Sequence, residues 1–357
     1  MIICRTPFRI SFLGGGTDYP SWYLKHGGDV LSTTIDKYCY ITLRYLPPFF
    51  EHRIRLLYSR IEMCQSYEEI KHPAVREILR FLDFDRGLEI HHDGDLPARS
   101  GMGSSSSFTV ALLHALYALK GVMVSKNRLA MESIHIEQNL VKETIGSQDQ
   151  MAVANGGFNW INFGKNGKIR IHPVTITGER QQELNSHLML FYTGIVRTAS
   201  DIAKSYVDDI DKKEDILIEI QAMVKDGIKI LQERDCLHRF GELLHKSWLL
   251  KRQLSSEITN SIVDNYYQCA LDNGAIGGKI LGAGGGGFLL FFVPVSEQQR
   301  LRKALDGLIH VPFRFESAGS QIILYDPPEE DYQEAERDRD MRRNLKTKPT
   351  EKHAVKE

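Results

Sequence analysis

The chain has 357 residues, 42% hydrophobic and 25% charged, the proportions of a soluble globular protein long enough for two or three domains and a sizeable core. Its 45 Lys and Arg against 46 Asp and Glu leave a net charge of -1, which argues against a general nucleic-acid binder but not against a local pocket for a small anion. The five cysteines are scattered and without CxxC spacing, so neither a disulfide framework nor a zinc site is expected, and a reducing compartment is.

Met1 leads into a strand-like run, Ile2-Ile3-Cys4, with no basic segment and apolar stretch of a signal peptide. No apolar run is long enough to cross a bilayer. A cytoplasmic protein with no membrane partner is expected, as a monomer or homodimer. Residues 9–13 read as a strand ending in Gly14-Gly15-Gly16. Residues 29–46 are rich in Val, Ile, Thr and Tyr, with a polar break at Asp36-Lys37 that predicts two strands or a hairpin. Further strands are predicted at 53–58 and 88–92, with a helix over 68–82 that has Pro73 near its start. Four serines open a helix over 104–120, where Phe108, Leu112, Leu116 and Leu119 recur at helical spacing and Gly121 is the stop. A second helix is predicted over 126–142, then strands at 158–163, 168–176 and 187–192.

Beyond that point the periodicity turns helical, over 200–210, 215–232, 240–254 and 258–271. The glycine-rich stretch 277–287 runs into a strand at 288–293, and a helix over 297–308 and strands at 311–315 and 321–325 close the globular part. A domain boundary is placed near residue 180, dividing 1–180 from 181–328. Residues 329–357 are nearly all polar or charged and predict a solvated helix or frayed tail.

The most informative segment is Pro97-Ala98-Arg99-Ser100-Gly101-Met102-Gly103-Ser104-Ser105-Ser106-Ser107. Glycines let a backbone approach an anion closely, and a helix start offers free N–H groups and the positive end of the dipole. One serine suffices for a cap; four behind Gly-x-Gly suggest a phosphate cradle. No lysine follows the second glycine, so the Walker spacing is absent. Gly282, Gly284 and Gly287 fit GxGxxG, but a strand follows where the dinucleotide fingerprint needs a helix.

Three ordered stretches resemble the motifs of the GHMP kinases: residues 6–18 through Arg9 to Asp18, the 97–107 loop, and residues 279–287. The resemblance implies a two-domain α/β (α+β) fold of mixed sheets and helices, an ATP-binding N-terminal domain with a left-handed crossover, and ATP and Mg2+ as cofactors. Within the family, Arg9-Ile10-Ser11-Phe12 before Gly-Gly-Gly-Thr-Asp, and Gly146-Ser147-Gln148-Asp149-Gln150, resemble the bacterial D-glycero-D-manno-heptose 7-phosphate kinases. These phosphorylate an anomeric hydroxyl to give the 1,7-bisphosphate on the route to GDP-heptose. Alternatives are an anomeric kinase for another sugar such as L-fucose, and a catalytically silent sensor on the same fold.

By the resemblance, Asp149 is the candidate base and Arg9 the cation that meets it and the reacting hydroxyl. Pro97, Arg99, Ser100, Gly101, Met102, Gly103, Ser104, Ser105 and Ser106 are the expected nucleotide-binding residues. Ser105 and Glu137 are the expected magnesium ligands, with Ser104 or Ser106 as replacements for Ser105. Gly15, Gly16, Thr17 and Asp18 would bind the sugar, and Lys279, Gly284 and Gly285 would lie near cradle and substrate. Gly14-Gly15-Gly16 stand where galactokinase has Gly-Glu-His, which weakens a galactose reading. A phosphate already on the sugar would need cations, for which Arg44, Arg99, Lys142, Arg197 and Lys204 are candidates.

Overall fold

A computed structural model describes residues 1–196, 199–233, 236–327 and 332–339. Two long strands, β1 (Ile2–Leu13) and β2 (Gly28–Tyr45), form the spine of the larger sheet. It continues through β3 (Ile54–Leu57), β4 (Ile61–Cys64), β5 (Leu88–Gly94), β6 (Phe158–Phe163) and β7 (Ile169–Pro173). A second, four-stranded sheet holds β8 (Leu188–Tyr192), β9 (Gly277–Ile280), β10 (Phe288–Phe292) and β11 (Ile309–His310) in the order β11-β8-β10-β9. The chain then returns to the first sheet. There β12 (Phe315–Glu316) pairs with β2, and β13 (Gln321–Tyr325) lies antiparallel to β1 at the edge. Among the described residues the one parallel pairing is β3 with β5. The mixed, two-sheet α/β architecture is as expected.

Strand alternation sends Phe8, Ile10 and Phe12 of β1 to one face and Arg9 and Ser11 to the other. Phe12 meets the rings of Phe158 and Phe240 edge-on, with centroids 5.6 Å away in both cases. The Ser104–Leu119 helix packs across β1 and β2. It is apolar all round because its other sides meet the Lys126–His135 and Gln148–Asn155 helices. Its buried packing fixes where its first turn points.

The polar Asp36-Lys37 pair does not split 29–46 into two strands. β2 runs through it as one element, and the pairing with β1 slips there, from Pro7 opposite Tyr38 to Phe8 opposite Ile35. The two extra residues make a bulge. Arg314 holds it, its N–H donating to Asp36 Oδ1 and its carbonyl accepting from the Asp36 N–H. At that bulge β2 exchanges its other neighbour, β6 for β5. The predicted helix over 126–142 ends as an α-helix at His135 and continues as a π turn, Ile136–Leu140. Helices Pro20–His26, Gln148–Asn155 and Gly178–His187 and strand β4 had no clear sequence signal. Residues 333–339 of the charged segment are helical, and Glu336 is buried beside Arg86 rather than solvated. Residues 340–357 lie outside the described residues. Among the described residues no helix is long and apolar enough to cross a membrane.

Candidate active site

Arg9 and Asp149, 140 residues apart, meet in a bidentate ion pair. Nε and Nη2 donate to the two carboxylate oxygens, each at 2.7 Å, and Nη1 donates to the Gly101 carbonyl, also at 2.7 Å. The Arg9 side chain is only 3% exposed and that of Asp149 24%, so the carboxylate is the member that faces outward. Asp149 occupies the second position of the Gln148–Asn155 helix, where the dipole favours a carboxylate. Planar forks of this kind fix direction as well as energy.

The cradle loop is locked from behind by the third glycine-rich stretch. A Cβ on Gly101 would fall 2.4 Å from the Leu281 carbonyl, one on Gly282 2.5 Å from Gly101 Cα, and one on Gly287 2.2 Å from the Ser100 carbonyl. The two segments therefore pack backbone on backbone, which only glycine permits. Gly284 and Gly285 are the other side of the same turn: the Gly285 N–H donates to the Ile258 carbonyl, and its own carbonyl accepts from Asn260 Nδ2. On the front face the Met102 carbonyl accepts from the Arg9 N–H, Met102 is fully buried, and Ser100 Oγ closes on the Pro97 carbonyl. Pro97 and Arg99 are exposed.

Gly103 precedes the long helix in the left-handed region, φ 75°, and the helix has no side-chain cap. Its first N–H groups stay open to an anion. The four serines divide the remaining work. Ser104 Oγ accepts from the Arg99 N–H, Ser107 Oγ donates to the Pro7 carbonyl, and Ser106 Oγ donates to Glu137 Oε2 at 2.9 Å. Ser105 is exposed. The hydroxyl that meets Glu137 thus belongs to Ser106, one of the two serines expected as replacements for Ser105.

Glu137 sits in the π turn, which the Val141 N–H closes onto the Ile136 carbonyl at 2.8 Å. A widened turn of this kind re-aims one side chain out of register with its helix. Besides Ser106, Glu137 accepts from Thr109 Oγ1 at 2.9 Å and from Gln150 Nε2. Burial pushes its carboxyl up to about 7, with Glu143 adding to the shift. The Gln150 amide oxygen is buried there without a hydrogen-bond partner. Carboxylate, hydroxyl and orphaned amide oxygen form a hard, all-oxygen donor set that fits Mg2+.

Asp18 is buried beside this pair. Its Oδ1 accepts from the Gly16 N–H at 3.0 Å, and burial, then the nearby Asp149 charge, raise its pKa. Room for it comes from Gly146, where a Cβ would fall 1.8 Å from Asp18 Oδ2. Thr17 Oγ1 ties the loop to the carbonyls of Gly14 and Asp29, and Gly15 lies near the Gln148 amide. Lys279 is buried on β9, donating to the Phe12 carbonyl at 2.8 Å.

Lys251 belongs to the site without a motif to announce it. It ends the His238–Lys251 helix, is buried, donates to the Gly282 carbonyl, and feels the charges of Arg9 and Asp18. Thr109 and Gln150 were missed as well. Thr109 lies three residues after Ser106 on one helix face, a legible polar pair in an apolar helix; Lys251 follows Trp248-Leu249-Leu250 without any local signal.

Of the candidate phosphate cations, Arg44 is paired with Glu89. It lies ten residues along β2 from Thr34, the partner of Arg9, or about 30 Å away at the usual strand rise. Lys142 and Lys204 are exposed, and Arg99 faces Glu143. Arg197 lies outside the described residues.

Residues 69–157 match the family model for the GHMP kinases N terminal domain, and residues 229–308 that for GHMP kinases C terminal. The chain is 30% identical over 318 residues to a D-glycero-alpha-D-manno-heptose 7-phosphate kinase of Campylobacter jejuni, covering 84% of this chain and 92% of that one. It is 28% identical to an L-fucokinase/L-fucose-1-P guanylyltransferase of Bacteroides fragilis, with 84% of this chain matched to 35% of that protein. Among solved structures, a D-glycero-D-manno-heptose 1-phosphate kinase from Bacteroides thetaiotaomicron superposes with a TM-score of 0.74 at 22% identity, covering 91% of this chain and all of that one.

Proposed function

The chain belongs to the GHMP kinase family and is an ATP-dependent sugar kinase, and from that premise we propose that it phosphorylates the anomeric hydroxyl of D-glycero-D-manno-heptose 7-phosphate to the 1,7-bisphosphate. The observation that supports the chemistry of this reading is the Arg9–Asp149 fork anchored to the Gly101 carbonyl, in which Asp149 would accept a proton and Arg9 would supply the cation, while the 30% identity to a heptose 7-phosphate kinase supports the substrate. In the proposed step the acceptor oxygen attacks the γ-phosphorus. A new P–O bond forms, the β,γ-bridging bond breaks, ADP leaves with the electron pair, and the hydroxyl proton passes to Asp149. Arg9 holds Asp149 in orientation, and its guanidinium offsets negative charge in the transition state. The open N–H groups after Gly103 and the exposed Ser105 hydroxyl receive the phosphates. Asp18 accepts hydrogen bonds from sugar hydroxyls at the same centre.

Glu137 and Ser106 would hold Mg2+, with the Gln150 amide oxygen beside them. When bound, that ion neutralises charge on the nucleotide phosphates. The 28% identity to an L-fucokinase/L-fucose-1-P guanylyltransferase, over 35% of that protein, favours one second reading, an anomeric kinase for L-fucose. The deciding experiment compares turnover of heptose 7-phosphate, L-fucose, galactose and mannose, with the phosphate position on the product found by phosphorus–proton NMR correlation. Preference for the heptose phosphate with the new phosphate at C1 is expected; preference for an unphosphorylated sugar overturns the substrate.

A further inference from the structure

We propose that Lys251 is a second catalytic cation, reaching across from the C-terminal part of the chain to touch the transferring phosphoryl group opposite Arg9. The inference rests on the kinase reading and adds a residue that no motif contains. Lys251 is 8% exposed and Lys279 4%, yet each ammonium has one backbone carbonyl as its hydrogen-bond partner, Gly282 and Phe12 respectively. Neither has a carboxylate within ion-pair distance among the described residues. A buried charge without a counter-charge is costly and normally persists only where something anionic completes it.

Position decides which anion. Gly282, to which Lys251 is bonded, is in backbone contact with Gly101, whose carbonyl takes Arg9 Nη1. Lys251 and Arg9 therefore flank one glycine seam at the end of the cradle. The charged groups that face Lys251 are Arg9 from β1, Asp18 from the loop after it, and Lys279 from β9; Asp149 is already engaged by Arg9. Burial, then the Lys251 and Arg9 charges, pull the Lys279 ammonium well down, so the cations here are Arg9 and Lys251; Asp149 is spent on Arg9, and burial works against an ionised Asp18, which leaves Lys251 without an engaged counter-charge. Burial, then the Arg9 charge, bring the Lys251 ammonium down to about 8, while Asp18 opposes the shift. An incoming phosphoryl group stabilises the protonated form; in the free enzyme the charge is shed as pH rises through that value.

Lys251→Gln is the informative change, since an amide still donates to the Gly282 carbonyl while the charge is gone. With Mg2+, ATP and the preferred sugar, kcat is expected to fall about 100-fold, the size typical for one electrostatic donor. KM for the sugar and the affinity for ADP should stay within about threefold, as expected for a contact made chiefly in the transition state. The wild-type kcat/KM for ATP, which reports the free enzyme, should decline above about pH 8, and Lys251→Arg should recover activity and move that decline upward. A Gln variant with kcat within threefold of wild type, or a loss confined to nucleotide affinity, overturns the proposal. If Lys251→Gln does not fold, the comparison of wild type with Lys251→Arg decides, and a flat wild-type profile to pH 9.5 overturns it. Wild-type turnover of some sugar is measured first; its absence overturns the kinase reading and this inference together, whereas normal wild-type turnover with an unaffected Gln variant overturns the lysine alone.

Discussion

Asp149→Asn separates two roles that the fork combines. Asparagine keeps one acceptor oxygen and turns the other into an NH2 group, so one of the two 2.7 Å bonds becomes a donor facing a donor. Arg9, 3% exposed, is left with its charge unanswered. Breaking a buried pair costs about 3–5 kcal/mol, and the 24% exposure of Asp149 reduces that to about 2–3 kcal/mol here. The melting temperature should drop by about 3–4 °C. Loss of the proton acceptor should lower kcat by about 100- to 10,000-fold, read from ADP release in a coupled assay. Displacement of a fluorescent nucleotide should show ADP affinity little changed. Arg9→Met together with Asp149→Leu should regain much of the stability and none of the turnover, because removing both partners of a buried pair costs far less than removing one. A kcat for Asp149→Asn within about threefold of wild type would falsify the assignment, whatever happened to the melting temperature.

The glycine seam is tested by two substitutions at one backbone geometry. Gly121 and Gly282 both have φ of 69°, but a Cβ on Gly121 meets nothing within 4 Å and one on Gly282 lies 2.5 Å from Gly101 Cα. Gly121→Ala should cost about 1 kcal/mol in urea unfolding, the left-handed penalty alone, and Gly282→Ala distinctly more, together with most of the activity; equal costs would mean the seam is not close-packed. Ser106→Ala should raise the Mg2+ concentration needed for half-maximal rate more than Ser105→Ala does, since Ser106 is the hydroxyl on Glu137; the reverse order would restore Ser105 to that place. Burial holds the His72 imidazole down at about 4 from 6.5. The unfolded chain therefore binds the extra proton first, and stability is lost as pH falls from 6.5 toward 4, by about 2 kcal/mol at pH 5. His72→Gln should flatten that dependence in chemical unfolding at pH 7 and pH 5, and an unchanged slope would count against it.

Much of the site was legible because its signals are local. Gly-x-Gly before four serines announces a backbone-built anion cradle whatever surrounds it, and the helix predicted over 104–120 is observed at Ser104–Leu119. Arg9, Asp18, Asp149 and Glu137 could be nominated only through their motifs, since nothing in their own neighbourhoods predicts a meeting across 140 residues. The register of the serines was not legible: which hydroxyl faces Glu137 depends on the left-handed start at Gly103 and on the π turn at Ile136–Leu140, a single-residue insertion invisible to periodicity. Lys251 escaped for a different reason. An amphipathic helix ending in Lys251-Arg252 reads as a helix with a basic last turn, and only the packing of Gly282 beside it turns that lysine inward. The Gln148–Asn155 helix is too short, and too polar in its first turn, to show a period.

β13 carries one more consequence. Because residues 321–325 lie along Ile2–Arg5 of β1, short of Arg9, the edge of an early strand is finished by a segment far along the chain. During synthesis the edge of β1 at Ile2–Arg5 stays open until residues 321–325 have emerged. A chain cut before residue 321 would therefore expose that edge to chaperones and proteases.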